Sequence, residues 1–120
     1  MAQSLNTRAE FVGPGIAYIG FAKYGKIMLG DVAFEFFSDR SVEDNVIIPL
    51  DKIKRVEGSV YGKKIGRRFN IILQNNSKLC FGSKDSGKIL KILREKLGNE
   101  NVVKAPTFLG TLTRAFKRNK

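Results

Sequence analysis

The chain of 120 residues carries 22 Lys and Arg against 11 Asp and Glu, so its formal net charge is +11. It contains no His, no Trp and one Cys, which excludes His-dependent nucleophiles, His-ligated metals, phosphate relays between histidines, internal disulfides and Cys-rich zinc sites. We therefore expect one soluble, cytoplasmic domain that holds no metal and no cofactor.

Seven short apolar runs bounded by turn residues predict β-strands. They cover residues 16–21, 26–29, 32–37, 46–48, 53–61, 69–73 and 78–81. We expect Gly13-Pro14-Gly15 to break regular structure before the first strand and Tyr24-Gly25 to form the turn after it.

Side chains at alternate positions share one face of a strand, which assigns four phenylalanines to the core: Phe34, Phe36, Phe69 and Phe81. Exposed on one sheet face instead, they would form a stacking platform for single-stranded nucleic acid. Cys80 has no general base at hand and is expected to pack in the core as a small apolar side chain.

After Gly82 the apolar residues follow the spacing of a helix, at Ile89, Leu90, Leu93 and Leu97. Ser83 or Asp85 can cap its start, and Gly98 suits the position just past its end. The predicted fold is mainly β: a seven-stranded barrel or two-sheet sandwich whose open end is covered by the one helix.

Two stretches, residues 20–26 and 82–88, match G-x-x-x-x-G-K, the start of a phosphate-binding loop. Ile27 and Ile89 follow them, where that motif requires a Ser or Thr hydroxyl for magnesium. Such loops also belong to parallel sheets, and no second crossover unit follows the predicted helix. We therefore predict a noncatalytic protein.

Positive charge is concentrated in the second half of the chain. Residues 1–60 hold 7 basic and 8 acidic side chains, and residues 61–120 hold 15 and 3, so the halves carry −1 and +12. A basic loop is predicted at Lys63, Lys64, Arg67 and Arg68. A field of this asymmetry attracts nucleic acid, anionic lipid or an acidic protein surface.

We divide the chain into a domain at residues 1–104 and a basic tail at residues 105–120. At helical spacing the tail gathers Phe108, Leu109, Leu112 and Phe116 on one side and leaves the cations outside, namely Arg114, Lys117, Arg118 and Lys120. Such a segment can lie in an anionic membrane interface. It can equally dock on its own domain or on a second copy of the chain.

Residues 1–7, 30–36 and 42–49, together with the Phe-rich basic tail, resemble the ManO family over essentially the whole length. The family is one of unknown function, found mainly in Gram-positive bacteria beside mannose-type sugar phosphotransferase genes and labelled as operon regulators. The resemblance implies an association with that transport system and assigns no site residue.

The strand count and final helix are also similar to the pleckstrin-homology-like fold, including its GRAM-type branch. In lipid-binding members the first hairpin loop supplies cations to a headgroup, and the matching place here holds Lys23 and Lys26. The fuller basic signature of those members is missing, so the resemblance implies no specific phosphoinositide site and leaves general affinity for anionic lipid open.

We therefore expect a noncatalytic accessory or regulatory protein of a mannose-type phosphotransferase system. Its basic half would bind a phosphotransferase component, an anionic membrane surface at the inner face, or both. The alternative is a nucleic-acid-binding regulator of the operon, for which a helix-turn-helix pair is missing from the pattern. Self-association through the tail is a third alternative.

Overall fold

The computed structural model describes residues 5–61 and 64–104, which form eight β-strands and one α-helix. In chain order they are β1 (Ala9–Ile19), β2 (Phe21–Gly30), β3 (Ala33–Ser38), β4 (Val46–Pro49), β5 (Ile53–Tyr61), β6 (Lys64–Leu73), β7 (Lys78–Gly82), α1 (Ser86–Leu97) and β8 (Val102–Lys104). Short 3-10 turns lie at Val42–Asp44, Leu50–Lys52 and Asn99–Asn101. The prediction of a mainly β protein with one helix is confirmed for the described residues.

The strands form one open sheet in the order β4-β3-β2-β1-β7-β6-β5-β8. Neighbouring strands are antiparallel except β5 and β8, which run parallel. The described part thus has eight strands where seven were expected, because the chain adds β8 to the edge of β5 after the helix. Since β4 and β8 are the two edges, these strands do not close into the predicted barrel.

The sheet bends back on itself around its phenylalanines. From β3 to β6 the strand order takes four steps, which would separate side chains by roughly 19 Å in a flat sheet. The rings of Phe34 and Phe69 are 5.9 Å apart, and those of Phe34 and Phe81 are 4.9 Å apart. All four predicted core phenylalanines are at most 1% exposed, so the alternative in which they stack on nucleic acid is wrong.

The first hairpin differs from the prediction at two points. β1 continues through Pro14, which lies opposite Lys26, because β7 pairs only with Ile16 and Ala17 and leaves that edge of β1 free at the proline. Tyr24 and Gly25 belong to β2, and the hairpin turns instead at Gly20, whose φ is +73°. Gly25 serves a close approach, since a Cβ there would lie 2.1 Å from the carbonyl oxygen of Phe37.

Helix α1 confirms the predicted apolar stripe. Ile89, Leu90 and Leu93 are buried against β5 and β6. Asp85 occupies the N-cap position without a side-chain cap bond, and Ser83 instead accepts a hydrogen bond from the Asp85 amide at 2.9 Å. Gly98 ends the helix at a φ of +98° and donates its amide hydrogen to the Arg94 carbonyl.

Candidate anion-binding site

From Lys64 onward, the predicted basic loop is in fact the start of a strand. Lys64 pairs with Tyr61 and Ile65 pairs with Val60, so this part of β6 is hydrogen-bonded to β5. The register then shifts, because the next pair joins Phe69 to Gly58. Ser59 alone therefore faces three residues of β6, the segment 66–68, and this bulge carries two neighbouring arginines that are both exposed.

The connection between β7 and α1 holds the bulge in place. The Ser83 amide donates to the Arg67 carbonyl at 2.9 Å, and the Ser86 hydroxyl donates to the Gly66 carbonyl at 2.6 Å. The Ser83 hydroxyl donates in turn to the Pro14 carbonyl of β1 at 3.3 Å. The bulge, the start of α1 and β1 are thereby fixed relative to one another.

Arg68 stacks on an aromatic ring of β1. Its guanidinium carbon lies 4.3 Å from the ring centroid of Tyr18, a cation–π arrangement. Arg68 pairs in register with Gly82, and a Cβ on Gly82 would lie 2.9 Å from a ring carbon of Tyr18. Gly82 thus leaves the space in which the tyrosine lies.

A cleft of about 410 Å³ opens beside this stack. Its lining comes from β1, β2, β6, the end of β7 and the segments after β3 and β7, and includes Ile16, Tyr18, Tyr24, Asp39, Arg67, Ser83 and Lys84. Ile16 and Tyr18 alternate with Ala17, which is fully buried, so they face away from the core. The cleft therefore lies on the outer face of the sheet, where β1 and β7 separate.

Among the residues that the structure describes, the cations at this place lack carboxylate partners. Elsewhere Lys23 pairs with Asp44 at 3.0 Å, Arg55 and Lys78 both approach Glu57, and Lys96 pairs with Glu10. Within residues 5–61 and 64–104, no carboxylate forms an ion pair with the cations around the cleft, namely Arg67, Arg68 and Lys84. Their positive potential is left available to a partner.

We call the basic end the group of Lys64, Arg67, Arg68, Lys84 and Lys88. Gly87 and Ile65 lie side by side, since a Cβ on the glycine would be 3.7 Å from the Ile65 Cδ1 atom. The structure thus brings three of the predicted cations together with two lysines of the β7–α1 connection and the first turn of α1. Lys63 and the tail residues fall outside the described residues: Phe108, Leu109, Leu112, Arg114, Phe116, Lys117, Arg118 and Lys120.

The point of attachment of the tail lies near the basic end. β8 runs parallel to β5, with Lys104 opposite Gly58. Gly58 precedes Tyr61, the partner of Lys64, by three residues, or roughly 10 Å of strand. Two cationic segments far apart in sequence therefore start from one region of the fold.

The sequence prediction missed the aromatic half of the cleft. Tyr18 and Tyr24 were assigned to a strand and a turn, and the alternation of Ile16, Ala17 and Tyr18 was the signal that could have placed tyrosine on the outer face. Cys80 was expected in the core, but it is half-buried because its neighbour Phe81 faces inward. Burial raises the pKa of the Cys80 thiol, while Arg68 and Lys78 act in the opposite direction.

The described residues hold no group of three or more carboxylate and thiol side chains that could bind a metal ion. In that part of the chain, α1 is too short and too polar to cross a bilayer.

Comparison with known proteins bears on fold and family. The crystal structure of the C-terminal domain of an unknown protein from Leishmania infantum is similar, with a TM-score of 0.62 at 14% sequence identity, over 74% of this chain and 83% of that chain. At this identity the similarity concerns the fold alone. No curated protein matches the chain. A family model described as Domain of unknown function (DUF956) matches residues 1–116.

Proposed function

Because the chain belongs to the DUF956 family, whose description states no activity, we propose its function from its surface. The protein is a noncatalytic accessory or regulatory module that binds an anionic partner through its basic end and tail. In this proposal the partner belongs to a mannose-type phosphotransferase system, as a protein component or as the anionic lipid beside it; the resemblance to ManO proteins supports this choice. The bent sheet with its final helix is compatible with a pleckstrin-homology-like module.

One observation carries this proposal. The cations of β6, which form no ion pair with a described carboxylate, lie at the same region of the fold as the attachment point of the basic tail. Each Lys or Arg near an anionic leaflet contributes about 1 kcal/mol. The basic end and the four tail cations together supply enough charge for reversible adhesion, to which the apolar tail residues add a few kcal/mol on partition.

The operon-regulator alternative has less support. Recognition of duplex DNA by a helix-turn-helix needs two helices, and the described residues contain only α1. The predicted stacking platform is buried in the core.

The test compares two charge-matched variants of the full-length chain on phosphatidylglycerol vesicles. Lys64→Gln with Lys88→Gln removes two cations of the basic end, and Lys52→Gln with Lys54→Gln removes two exposed cations at the opposite end of β5. We expect the first pair to weaken vesicle binding roughly 30-fold, since two charges at about 1 kcal/mol each are lost. The control pair should change it less than threefold.

Deletion of residues 105–120 should abolish vesicle sedimentation. The same variants are then used to co-purify phosphotransferase components from cells that carry the operon. Equal losses in the two charge variants would show that net charge alone is responsible and would contradict the proposal. The nucleic-acid alternative would be favoured by a different result: the parent chain binds an operator fragment but neither vesicles nor phosphotransferase proteins, and the variants lose the operator complex.

A further inference from the structure

We propose that the cleft on the outer face binds a small phosphate monoester, with the phosphate at Arg67 and Lys84 and a ring of the ligand against Tyr18 and Tyr24. Its volume of about 410 Å³ lies within the range of small-molecule sites. The cleft shares Arg67 and Lys84 with the basic end. The two proposals are tested separately, because the vesicle test changes Lys64 and Lys88, which do not line the cleft.

Charge selects an anion for this cleft. Arg67 and Lys84 line it and have no ion-pair partner among the described residues. A phosphate monoester carries close to two negative charges at neutral pH. The guanidinium group can donate two parallel hydrogen bonds to phosphate oxygens, and the ammonium group adds a second positive charge.

The anion is held by side chains and not by a loop of backbone amides. In the G-x-x-x-x-G-K segment the Asp85 amide already donates to the Ser83 hydroxyl, and the Ser86 amide donates to the Ser83 carbonyl. The Ser83 hydroxyl is itself bonded to the Pro14 carbonyl. Because these amides are already bonded, the segment does not act as a phosphate-binding loop. It forms instead the wall of the cleft that positions Lys84.

Aromatic side chains select the rest of the ligand. Tyr18 is held between Arg68 and Gly82, so its position is fixed before any ligand arrives. Tyr24 pairs with Ile16 and is 62% exposed, which leaves its ring free to stack. A ring on the ester bond would cover this apolar surface.

Asp39 further restricts which ligands fit the cleft. It lines the same cleft, and its backbone amide is bonded to the Tyr24 carbonyl at 3.0 Å. Its carboxylate opposes a second anionic group and accepts a hydrogen bond from a hydroxyl or amine on the ring. Bare phosphate gains neither the tyrosine contact nor this bond.

The experiment titrates the isotopically labelled full-length chain with inorganic phosphate and with phenyl phosphate. We expect phenyl phosphate to shift the amide resonances of Gly15, Gly25 and Gly82 in a saturable manner and to bind more tightly than inorganic phosphate. Arg67→Gln and, separately, Lys84→Gln should weaken it roughly tenfold. Asp39→Asn should strengthen binding of both probes. The negative carboxylate repels a phosphate, and neither probe carries a ring hydroxyl or amine that would donate to it.

Lys52→Gln is the matched control and should leave the affinity unchanged. Because Arg67 and Lys84 are both exposed, the spectra of the variants should match that of the parent outside the cleft, and either variant alone tests the proposal. Unchanged affinity in both, or shifts spread over the whole basic surface, would overturn the site. Equal binding of the two probes would overturn the role of the tyrosines.

A last experiment distinguishes a soluble phosphate ester from a lipid headgroup as the ligand of the cleft. Phosphatidic acid presents a monoester on a membrane, and phosphatidylglycerol presents a diester. Vesicles matched in charge should bind equally if the ligand is soluble. A preference for phosphatidic acid that Arg67→Gln cancels would identify a lipid headgroup as the source of the phosphate.

Discussion

Asp31 ties the first described residues of the chain to the turn between β2 and β3. Its carboxylate accepts hydrogen bonds from the Thr7 hydroxyl, the Thr7 amide and the Arg8 amide. These bonds, led by that of the Thr7 hydroxyl, lower the pKa of Asp31 from 3.8 to about 2. Beside it Asn6 donates to the buried carboxylate of Glu35 and accepts from the amides of Val32 and Ala33.

The lowered pKa of Asp31 makes stability depend on pH in a defined window. The folded state favours the ionised carboxylate, so its contribution is complete above the ordinary pKa and is lost as the pH falls from about 4 to about 2. Thermal melts of Asp31→Asn should show a smaller decline over that window than the parent chain. Asp51→Asn, at an exposed aspartate, should decline as the parent does, and identical curves for all three would contradict this role.

Among the helices and strands, local patterns could be predicted from the sequence, and features that depend on strand pairing could not. The apolar spacing of α1 is local, and its prediction was confirmed. Gly25 of the first hairpin was assigned to a turn, but it serves a strand contact that exists only once β3 is in place. The arginines of the site were identified from composition, whereas the bulge that presents them depends on the register of β5.

The attachment of α1 should depend on its apolar stripe and not on its charged face. Leu93 is fully buried, and Leu90 lies so close to β5 that a Cβ on Gly58 would be 2.7 Å from its Cδ1 atom. Leu93→Ala should lower the free energy of unfolding by about 2–5 kcal/mol, through lost burial and the cavity left behind. Lys91→Ala, at an exposed position of the same helix, should change it by less than about 0.5 kcal/mol; urea denaturation measures both.

The whole molecule depends on contacts that the strand order alone would not suggest. The two halves of the sheet, β4-β3-β2-β1 and β7-β6-β5-β8, are joined by a register of two residue pairs between β1 and β7. Phe34 in the first half meets Phe81 and Phe69 of the second at 4.9 and 5.9 Å. The cleft lies at the same junction, so its walls keep their spacing only while the halves stay together.

A double-mutant cycle tests whether this ring contact couples the halves. Edge-to-face aromatic pairs contribute about 0.5–1.5 kcal/mol beyond the area they bury. Phe34→Leu and Phe69→Leu should therefore show a coupling energy of that size when unfolding is followed in urea. Ile72, buried on β6 but outside the central cluster, provides the control.

Phe34→Leu combined with Ile72→Val should be additive, because the two side chains share no partner in the cluster. Hydrogen exchange at β3 and β6 should report the same free energy of opening in the parent chain, since each half loses its core when the other unfolds. Additivity in the phenylalanine pair, together with separate opening of β3 and β6, would mean that the halves are independent units. The cleft would then lie across a flexible junction. In that case we expect substitutions at Phe34 to lower the affinity of the cleft for its ligand.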